Sequence, residues 1–271
     1  MDYMKKGFST MAKLIKLGKI MRFENFVPVL ALLIFTCATL PTLTKSLVKT
    51  IVIDAGHGGH DSGCQYGGVK EKDVTLKIAL ELGKKINDKF PEIKVFYTRK
   101  TDEFVKLWDR AEIANKAHAD LFISIHCNAN KKNTVYGTET FAMGLHKAEG
   151  NLDIAKREND VILMEEQYIE RYDGFDPNSP ETHIILSLHQ NAYLEKSITF
   201  ASLIEKQFSQ INNRTSRGVK QAGFLVLWKT KMPSVLIETG FLSNKQDRIL
   251  LTSKSGVDKI VNAIANSVAD F

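Results

Sequence analysis

The strongest constraint on the fold is the alternation of short apolar runs with longer segments of helical period. Such an alternation predicts a single α/β domain built on a mostly parallel sheet with helices on both faces. The predicted strands are 51–54, 94–98, 121–125, 137–142, 224–227 and 234–238. The predicted helices are 72–89, 107–117, 187–211 and 257–268.

The segment 145–186 interrupts this alternation. Its first part, 153–168, has a helical pattern dense in Glu and Asp, and turn-forming residues follow at 172–180. A connection of this length in a compact domain is usually functional or disordered. We therefore treat 145–186 as an acidic helical insertion that is either functional or disordered.

The N-terminal segment 1–45 has the pattern of a leader. A basic region precedes a fifteen-residue, largely apolar run, 26–40. This run is short for a membrane span and typical of the apolar part of a signal peptide. The sequence thus predicts a signal peptide, or alternatively an N-terminal membrane anchor, followed by a catalytic domain over 46–271. Export to the periplasm or cell envelope is expected, with the membrane reached only through the leader.

The basic balance of the chain belongs mostly to this leader. The formal net charge is +6 over 271 residues. Seven basic and two acidic residues within 1–45 account for +5 of it, which leaves +1 for the rest. A nearly neutral folded part gives no reason to expect nucleic-acid binding.

Four polar residues stand where predicted strands end or a helix begins. His57 and His126 follow apolar strands, Glu238 closes another, and Glu71 opens the helix after the first loop. The carboxyl ends of parallel strands converge on one crevice, where ligands bind. Two imidazoles and one carboxylate match a catalytic zinc site, which needs three protein ligands and an open position. A second carboxylate there would act as the general base.

Position alone leaves alternatives open for each of these residues. His60 competes with His57 in the same glycine-rich loop, and Glu71 could simply be a solvated first-turn carboxylate favoured by the helix dipole. His126 could be a core histidine bonded to the backbone. Cys64 and Cys127 are read as two small buried thiols, since two cysteines do not make a disulfide scaffold.

Four spaced motifs together resemble the zinc-dependent N-acetylmuramoyl-L-alanine amidases of the Amidase_3 family. They are Ile-Asp-Ala-Gly-His57-Gly-Gly, Glu71 at a helix start, Ser-Ile-His126-Cys-Asn-Ala, and Pro-Ser-Val-Leu-Ile-Glu238-Thr-Gly-Phe-Leu-Ser-Asn. The resemblance spans about 50–271 and includes Arg99 and Arg110. It implies that His57, Glu71 and His126 bind Zn²⁺ and that Glu238 is the catalytic carboxylate.

The resemblance also implies a reaction. The expected activity is hydrolysis of the amide between N-acetylmuramic acid and L-alanine in peptidoglycan. The alternatives are a zinc peptidase acting on another stem-peptide amide and an inactive wall-binding protein. Some members carry a regulatory helix that blocks the zinc site until a partner displaces it. Glu165 and Glu166 of the insertion are the candidates for an autoinhibitory zinc ligand, and a protein activator acting on 145–186 would release them.

Overall fold

A computed structural model describes residues 48–271 except 146–148, 189–191 and 212–213. The predicted leader, 1–45, lies outside the described residues. Residues Val48–Phe271 form one compact unit. No helix within the described part of this unit is long and apolar enough to cross a membrane.

Strands and helices alternate through most of the chain, as the apolar pattern predicted. The strands are β1 Thr50–Ala55, β2 Gln65–Tyr66, β3 Val69–Lys70, β4 Lys94–Tyr97, β5 Leu121–Asn128, β6 Thr138–Met143, β7 Ser216–Ala222 and β8 Ser234–Phe241. The helices are α1 Glu71–Lys89, α2 Leu107–Lys116, α3 Glu149–Asn159, α4 Tyr168–Arg171, α5 Pro180–Leu188, α6 Leu194–Ser209, α7 Leu225–Trp228, α8 Lys245–Thr252 and α9 Lys254–Asp270.

Six strands form the main sheet, in the order β4-β1-β5-β8-β6-β7. The pairs β4–β1, β1–β5, β5–β8 and β6–β7 are parallel, and β6–β8 is antiparallel. The mostly parallel sheet is therefore confirmed. The reversal at β6 brings the start of that strand to the carboxyl end of β8, which is the edge where ligands bind in such sheets.

Two apolar cores cover the two faces of the sheet. Residues of α1, α6 and α9 pack on one face with the alternate side chains Ile123, Ile125 and Cys127 of β5. On the other face, α2, α7 and parts of the insertion pack against the sheet. His126 belongs to this second face, because successive side chains of a strand point to opposite sides.

Two predicted elements near the end of the chain are wrong in type or extent. The apolar run 224–227 is not a strand, since α7 occupies Leu225–Trp228 and the strand is the preceding polar segment β7. A short buried apolar run has no period that separates strand from helix. The predicted helix 187–211 is two helices, α5 and α6, and α8 was not predicted.

The insertion is helical at its start but not over the whole predicted range. Helix α3 ends at Asn159, a 3-10 turn covers Asp160–Met164, and α4 begins only at Tyr168. Val161 and Ile162 of the 3-10 turn are buried. The polypeptide thus bends to bury this apolar pair, which places the end of α3 over the carboxyl edge of the sheet.

Candidate metal centre

His57 occupies a strained position immediately after β1. Its φ of 60° is left-handed, a conformation that a non-glycine residue adopts only when its surroundings enforce it. The side chain is 8% exposed, and Nδ1 donates to Asp61 Oδ2 at 2.7 Å. This hydrogen bond leaves Nε2 free to face the centre of the site.

Glu71 begins α1 and is completely buried. Its Oε1 accepts from the backbone N–H of Cys127 at 2.8 Å, and its Oε2 accepts from that of Cys64 at 2.9 Å. Gly63 makes this approach feasible, because a Cβ there would lie 2.7 Å from Glu71 Oε2. Glu71 is therefore a buried carboxylate fixed by two backbone N–H groups, and not a solvated first-turn residue.

His126 lies within β5 and points into the same space. Its ring packs against the first loop, where a Cβ on Gly56 would lie 2.5 Å from ring atoms. The rings of His57 and His126 meet edge to face with centroids 4.9 Å apart. His126 is therefore a ring presented to the crevice and not a core histidine bonded to backbone.

One ligand atom from each of four buried residues lies within 4.8 Å of all the others. The residues are His57, Glu71, His126 and Glu158. Glu71 Oε1 lies 3.1 Å from His57 Nε2 and 3.2 Å from His126 Nδ1. Ligand atoms held about 2 Å from an ion in a tetrahedron are roughly 3.3 Å apart. The spacing therefore fits a tetrahedral metal site.

Glu158, at the end of α3, is the carboxylate that the insertion brings to this centre. Its Oε2 lies 3.2 Å from His57 Nε2 and 3.1 Å from His126 Nδ1. His57 Nε2 and Glu158 Oε2 are both buried without a hydrogen-bond partner. Atoms that face one central ion lie close together without forming hydrogen bonds to one another, which is the arrangement seen here.

The two insertion glutamates predicted for this position are not there. Glu165 Oε1 accepts from the backbone N–H of Leu107 at 2.9 Å, and the Tyr172 hydroxyl donates to the same carboxylate. Glu166 is exposed. Glu165 and Glu166 follow the 3-10 turn and lie away from the crevice. The insertion residue that contacts His57 and His126 is therefore at the end of α3 and not in the acidic run that follows it.

Glu238 lies beside the cluster, directly across from His126 in the β5–β8 register. It is fully buried, and both of its carboxylate oxygens lack a hydrogen-bond partner. Its nearest ion-pair partner is Arg157, whose Nη2 lies 3.7 Å from Glu238 Oε1. A buried carboxylate without hydrogen bonds is costly, which is typical of a group kept for chemistry.

The chain matches the family model described as N-acetylmuramoyl-L-alanine amidase over residues 51–270. It belongs to this amidase family. It is 32% identical over 228 residues to N-acetylmuramoyl-L-alanine amidase AmiA of Escherichia coli, an alignment covering 82% of this chain and 76% of AmiA.

Two solved structures of amidases share the fold. AmiC2 of Nostoc punctiforme superimposes with a TM-score of 0.60 at 27% identity, over 82% of this chain and 95% of AmiC2. CwlD of Clostridioides difficile, solved in complex with the GerS lipoprotein, gives a TM-score of 0.59 at 26% identity, over 82% of this chain and 97% of CwlD.

The electrostatics of the ligand cluster follow from packing carboxylates around two imidazoles. Burial disfavours a charged His57, but the carboxylates of Glu71, Asp61 and Glu158 together outweigh burial and raise the pKa of His57 well above its ordinary value. Burial likewise opposes protonation of His126, yet the carboxylates of Glu158 and Glu71 together raise its pKa to about 9. Burial and then repulsion by Glu158 raise the pKa of Glu238 well above its ordinary value.

A buried polar network beneath the site fixes the loop that carries His57. Asp54 accepts from Arg110 Nη1 at 2.7 Å and from Ser124 and Thr98 hydroxyls at 2.6 Å. Arg110 also donates through Nη2 to the carbonyl of His57 at 2.9 Å. This network explains why Arg110 is buried, since a buried guanidinium needs both charge and hydrogen-bond partners.

Arg99 holds the next turn of the same loop. Its Nε donates to Ala55 O at 2.9 Å, and its Nη2 donates to Gly56 O and Lys72 O at 2.8 Å. The guanidinium thus joins the loop to the first turn of α1, which carries Glu71. Asp61, Arg157 and Glu158 were not singled out from the sequence, because their roles depend on contacts between distant segments.

His60 and the two cysteines lie outside the ligand cluster. His60 is exposed and stacks on Phe104 with ring centroids 4.1 Å apart. Cys64 and Cys127 are both free, and Cys64 Sγ donates to the Cys127 carbonyl at 3.3 Å. Within the first loop, only His57 therefore contributes an imidazole to the cluster.

Proposed function

We propose that His57, Glu71 and His126 hold zinc and that Glu238 is the catalytic carboxylate of a peptidoglycan amidase. The chain is an N-acetylmuramoyl-L-alanine amidase, which hydrolyses the bond between N-acetylmuramic acid and L-alanine. The observation that carries the zinc assignment is the spacing of two imidazoles and a buried carboxylate around one point. Nitrogen and carboxylate ligands in tetrahedral spacing favour zinc.

The protein side chains supply orientation and proton transfer. When bound, zinc acts as a Lewis acid that polarises the scissile carbonyl and acidifies water. Asp61 orients His57, and the backbone N–H groups of Cys64 and Cys127 orient Glu71. Glu238 accepts a proton from the attacking water and returns it to the leaving nitrogen. Burial raises the pKa of Glu238 above that of an ordinary glutamate, which makes its carboxylate a stronger proton acceptor.

The reaction is tested on purified sacculi. The Glu158→Ala variant, which lacks the insertion carboxylate at the ligand cluster, is incubated with sacculi, with and without a zinc chelator, and the products are identified by mass spectrometry. Stem peptides with free L-Ala amino termini support the amidase reaction. Cleavage at another stem-peptide amide would instead identify a peptidase. Activity unaffected by a chelator that removes all bound metal would contradict the zinc assignment.

We further propose that the insertion 145–186 inhibits the enzyme. Glu158 Oε2 contacts both histidines, so its carboxylate would fill the coordination position that a catalytic zinc site leaves open for substrate and water. The adjacent Arg157 faces Glu238, and both residues close the end of α3 over the cluster. Deletion of 152–182 should raise basal hydrolysis of sacculi, and unchanged activity would count against inhibition.

A protein activator acting on the insertion is the simplest route to release. Helix α5 exposes Ile184, Ile185 and Leu188, which are 44%, 59% and 56% accessible. Adjacent exposed apolar side chains are typical of a protein-binding surface. The related CwlD was solved as a complex with the GerS lipoprotein, so a protein partner has a precedent in the family.

Export of this chain is proposed from the leader pattern. A basic segment precedes the apolar run 26–40, and peptidoglycan lies outside the cytoplasmic membrane. Fractionation of cells that produce the full chain tests this, with N-terminal sequencing of the mature protein to distinguish a cleaved leader from a retained anchor.

A further inference from the structure

A second charged group lies beside the catalytic carboxylate, one strand further along the sheet. Glu139 of β6 is paired with Glu238 of β8 in the antiparallel register, so both side chains point to the same face. Glu139 is 1% exposed. It binds two cations of β7, Arg217 through Nε and Lys220 through Nζ, the latter at 2.7 Å.

Arg217 is held in a way that leaves its outer nitrogens available. Only Nε contacts Glu139, and the guanidinium carbon lies 5.5 Å from the centre of the Phe241 ring. The side chain is 37% exposed, and its hydrogen bond to Glu139 uses Nε rather than the two terminal NH₂ groups. Two parallel N–H donors of this kind match a carboxylate.

The charges of this group do not cancel. Arg217 and Lys220 together carry two positive charges, whereas Glu139 supplies one negative charge. Asn128 Nδ2 donates to the other oxygen of Glu139 at 3.4 Å, so the carboxylate is also held from the side of the metal-type cluster. The three residues therefore carry an excess positive charge that one more anion would balance.

The distance from the reacting centre fits a peptide substrate. Strand β7 is two positions from β8 in the sheet, which corresponds to about 10 Å. An extended peptide covers this distance in about three residues. The peptide of peptidoglycan begins at the scissile amide and carries free carboxylates on its following residues, so one of them can reach β7.

We propose that Arg217 and Lys220 form a subsite for a carboxylate of the stem peptide, two or three residues beyond the scissile amide. The subsite rests on the amidase function proposed above, and it adds that the substrate should carry a free carboxylate on its stem peptide. Arg217 supplies the direct contact through its terminal nitrogens, and Lys220 supplies charge. Glu139 positions both cations, since it binds each of them.

The test compares two synthetic muramyl peptides that differ only in whether the stem carboxylates are free or amidated. The full chain carries Glu158→Ala to open the site, and kcat/KM is measured for both substrates. Dissociation constants are measured in the Glu158→Ala chain that also carries Glu238→Gln, so that substrate binds without being hydrolysed. Arg217→Gln is the main variant, because Glu139 then keeps Lys220 and Asn128 as partners. Lys84→Gln, at an exposed position of α1, is the control.

The free-carboxylate peptide should be preferred by about tenfold or more in kcat/KM and in binding, the scale of one charge-assisted hydrogen bond. Arg217→Gln should abolish this preference while leaving the amidated peptide within about twofold, and Lys84→Gln should retain it. Equal binding of the two peptides, or a preference that survives Arg217→Gln, overturns the subsite. Preferential binding without hydrolysis of either peptide overturns the zinc amidase assignment and leaves the subsite standing.

Discussion

Arg157 Nη2 lies 3.7 Å from Glu238 Oε1, and the next residue, Glu158, contacts both histidines of the metal-type cluster. Two consecutive residues of the insertion thus contact the two chemically distinct parts of the site. Glu158 and Glu238 supply the attraction that outweighs burial and raises the pKa of Arg157. An insertion that moves away removes both contacts at once.

Replacing Glu158 by Ala should raise the basal activity of the full chain. The substitution frees the position over His57 and His126 that the carboxylate occupies, and we expect an increase of at least about tenfold, since a contact worth 1.4 kcal/mol shifts an equilibrium tenfold. Dye release from labelled sacculi measures it. Glu166→Ala is the matched control, because Glu166 is an exposed insertion glutamate. Equal activity of the two variants would argue that the insertion does not inhibit through Glu158.

Glu238→Gln should abolish hydrolysis while the protein keeps its metal. The substitution removes the proton acceptor, and loss of a general base costs about 10²–10⁴-fold in rate. Assays are run in the Glu158→Ala chain, with metal content measured by elemental analysis and Glu81→Gln on the exposed side of α1 as control. Retention of full activity would remove Glu238 from the mechanism.

Asp61→Ala should lower the metal affinity with little effect on the stability of the fold. Asp61 holds His57 Nδ1 at 2.7 Å and therefore sets which nitrogen faces the cluster. Loss of such an orienting carboxylate lowers metal affinity by about 10–100-fold. Competition with a chromophoric chelator measures the change, with thermal unfolding of the apoprotein as the control. Wild-type affinity in the variant would show that the left-handed backbone at His57 is sufficient to hold the ring.

Asp54→Asn should destabilise the protein, because it leaves the buried Arg110 without its charge partner. Breaking a buried ion pair in this way costs about 3–5 kcal/mol. Urea unfolding of the wild type and the variant at neutral pH measures the loss. A difference below about 1 kcal/mol would mean that the remaining partners of Arg110 suffice.

The same pair predicts the direction of a pH effect. Burial raises the pKa of Asp54, but Arg110 and two hydroxyl donors outweigh burial and lower it overall. The charged carboxylate therefore stabilises the fold above about pH 4, the pKa of an unfolded Asp, and this contribution is lost as the pH falls through the lowered value. The stability difference between wild type and Asp54→Asn should shrink on acidification.

Local pattern was sufficient to place His57, His126 and Glu238 at the carboxyl edge of the sheet. A parallel sheet brings its carboxyl strand ends to one edge whatever the loops do, so His57, His126 and Glu238 had to lie near one another. Burial of Glu71 was not evident from its neighbours Lys70 and Lys72. It depends on two backbone N–H groups from β5 and the first loop, which the chain brings together only on folding.

By itself, the sequence determined the α/β class, the parallel core of the sheet and which side chains stand at its carboxyl edge, because strand and helix periods are local properties. Tertiary structure alone decided that β6 runs antiparallel, that 224–227 is mainly helical and that Glu158 rather than Glu165 or Glu166 lies in the ligand cluster. Strand direction, and the choice between helix and strand for a short buried apolar run, depend on contacts with the rest of the fold. The same holds for the insertion, which has no regular apolar period. Its path is set by burying Val161 and Ile162 and by the bond between Glu165 and Leu107, contacts made with the rest of the fold.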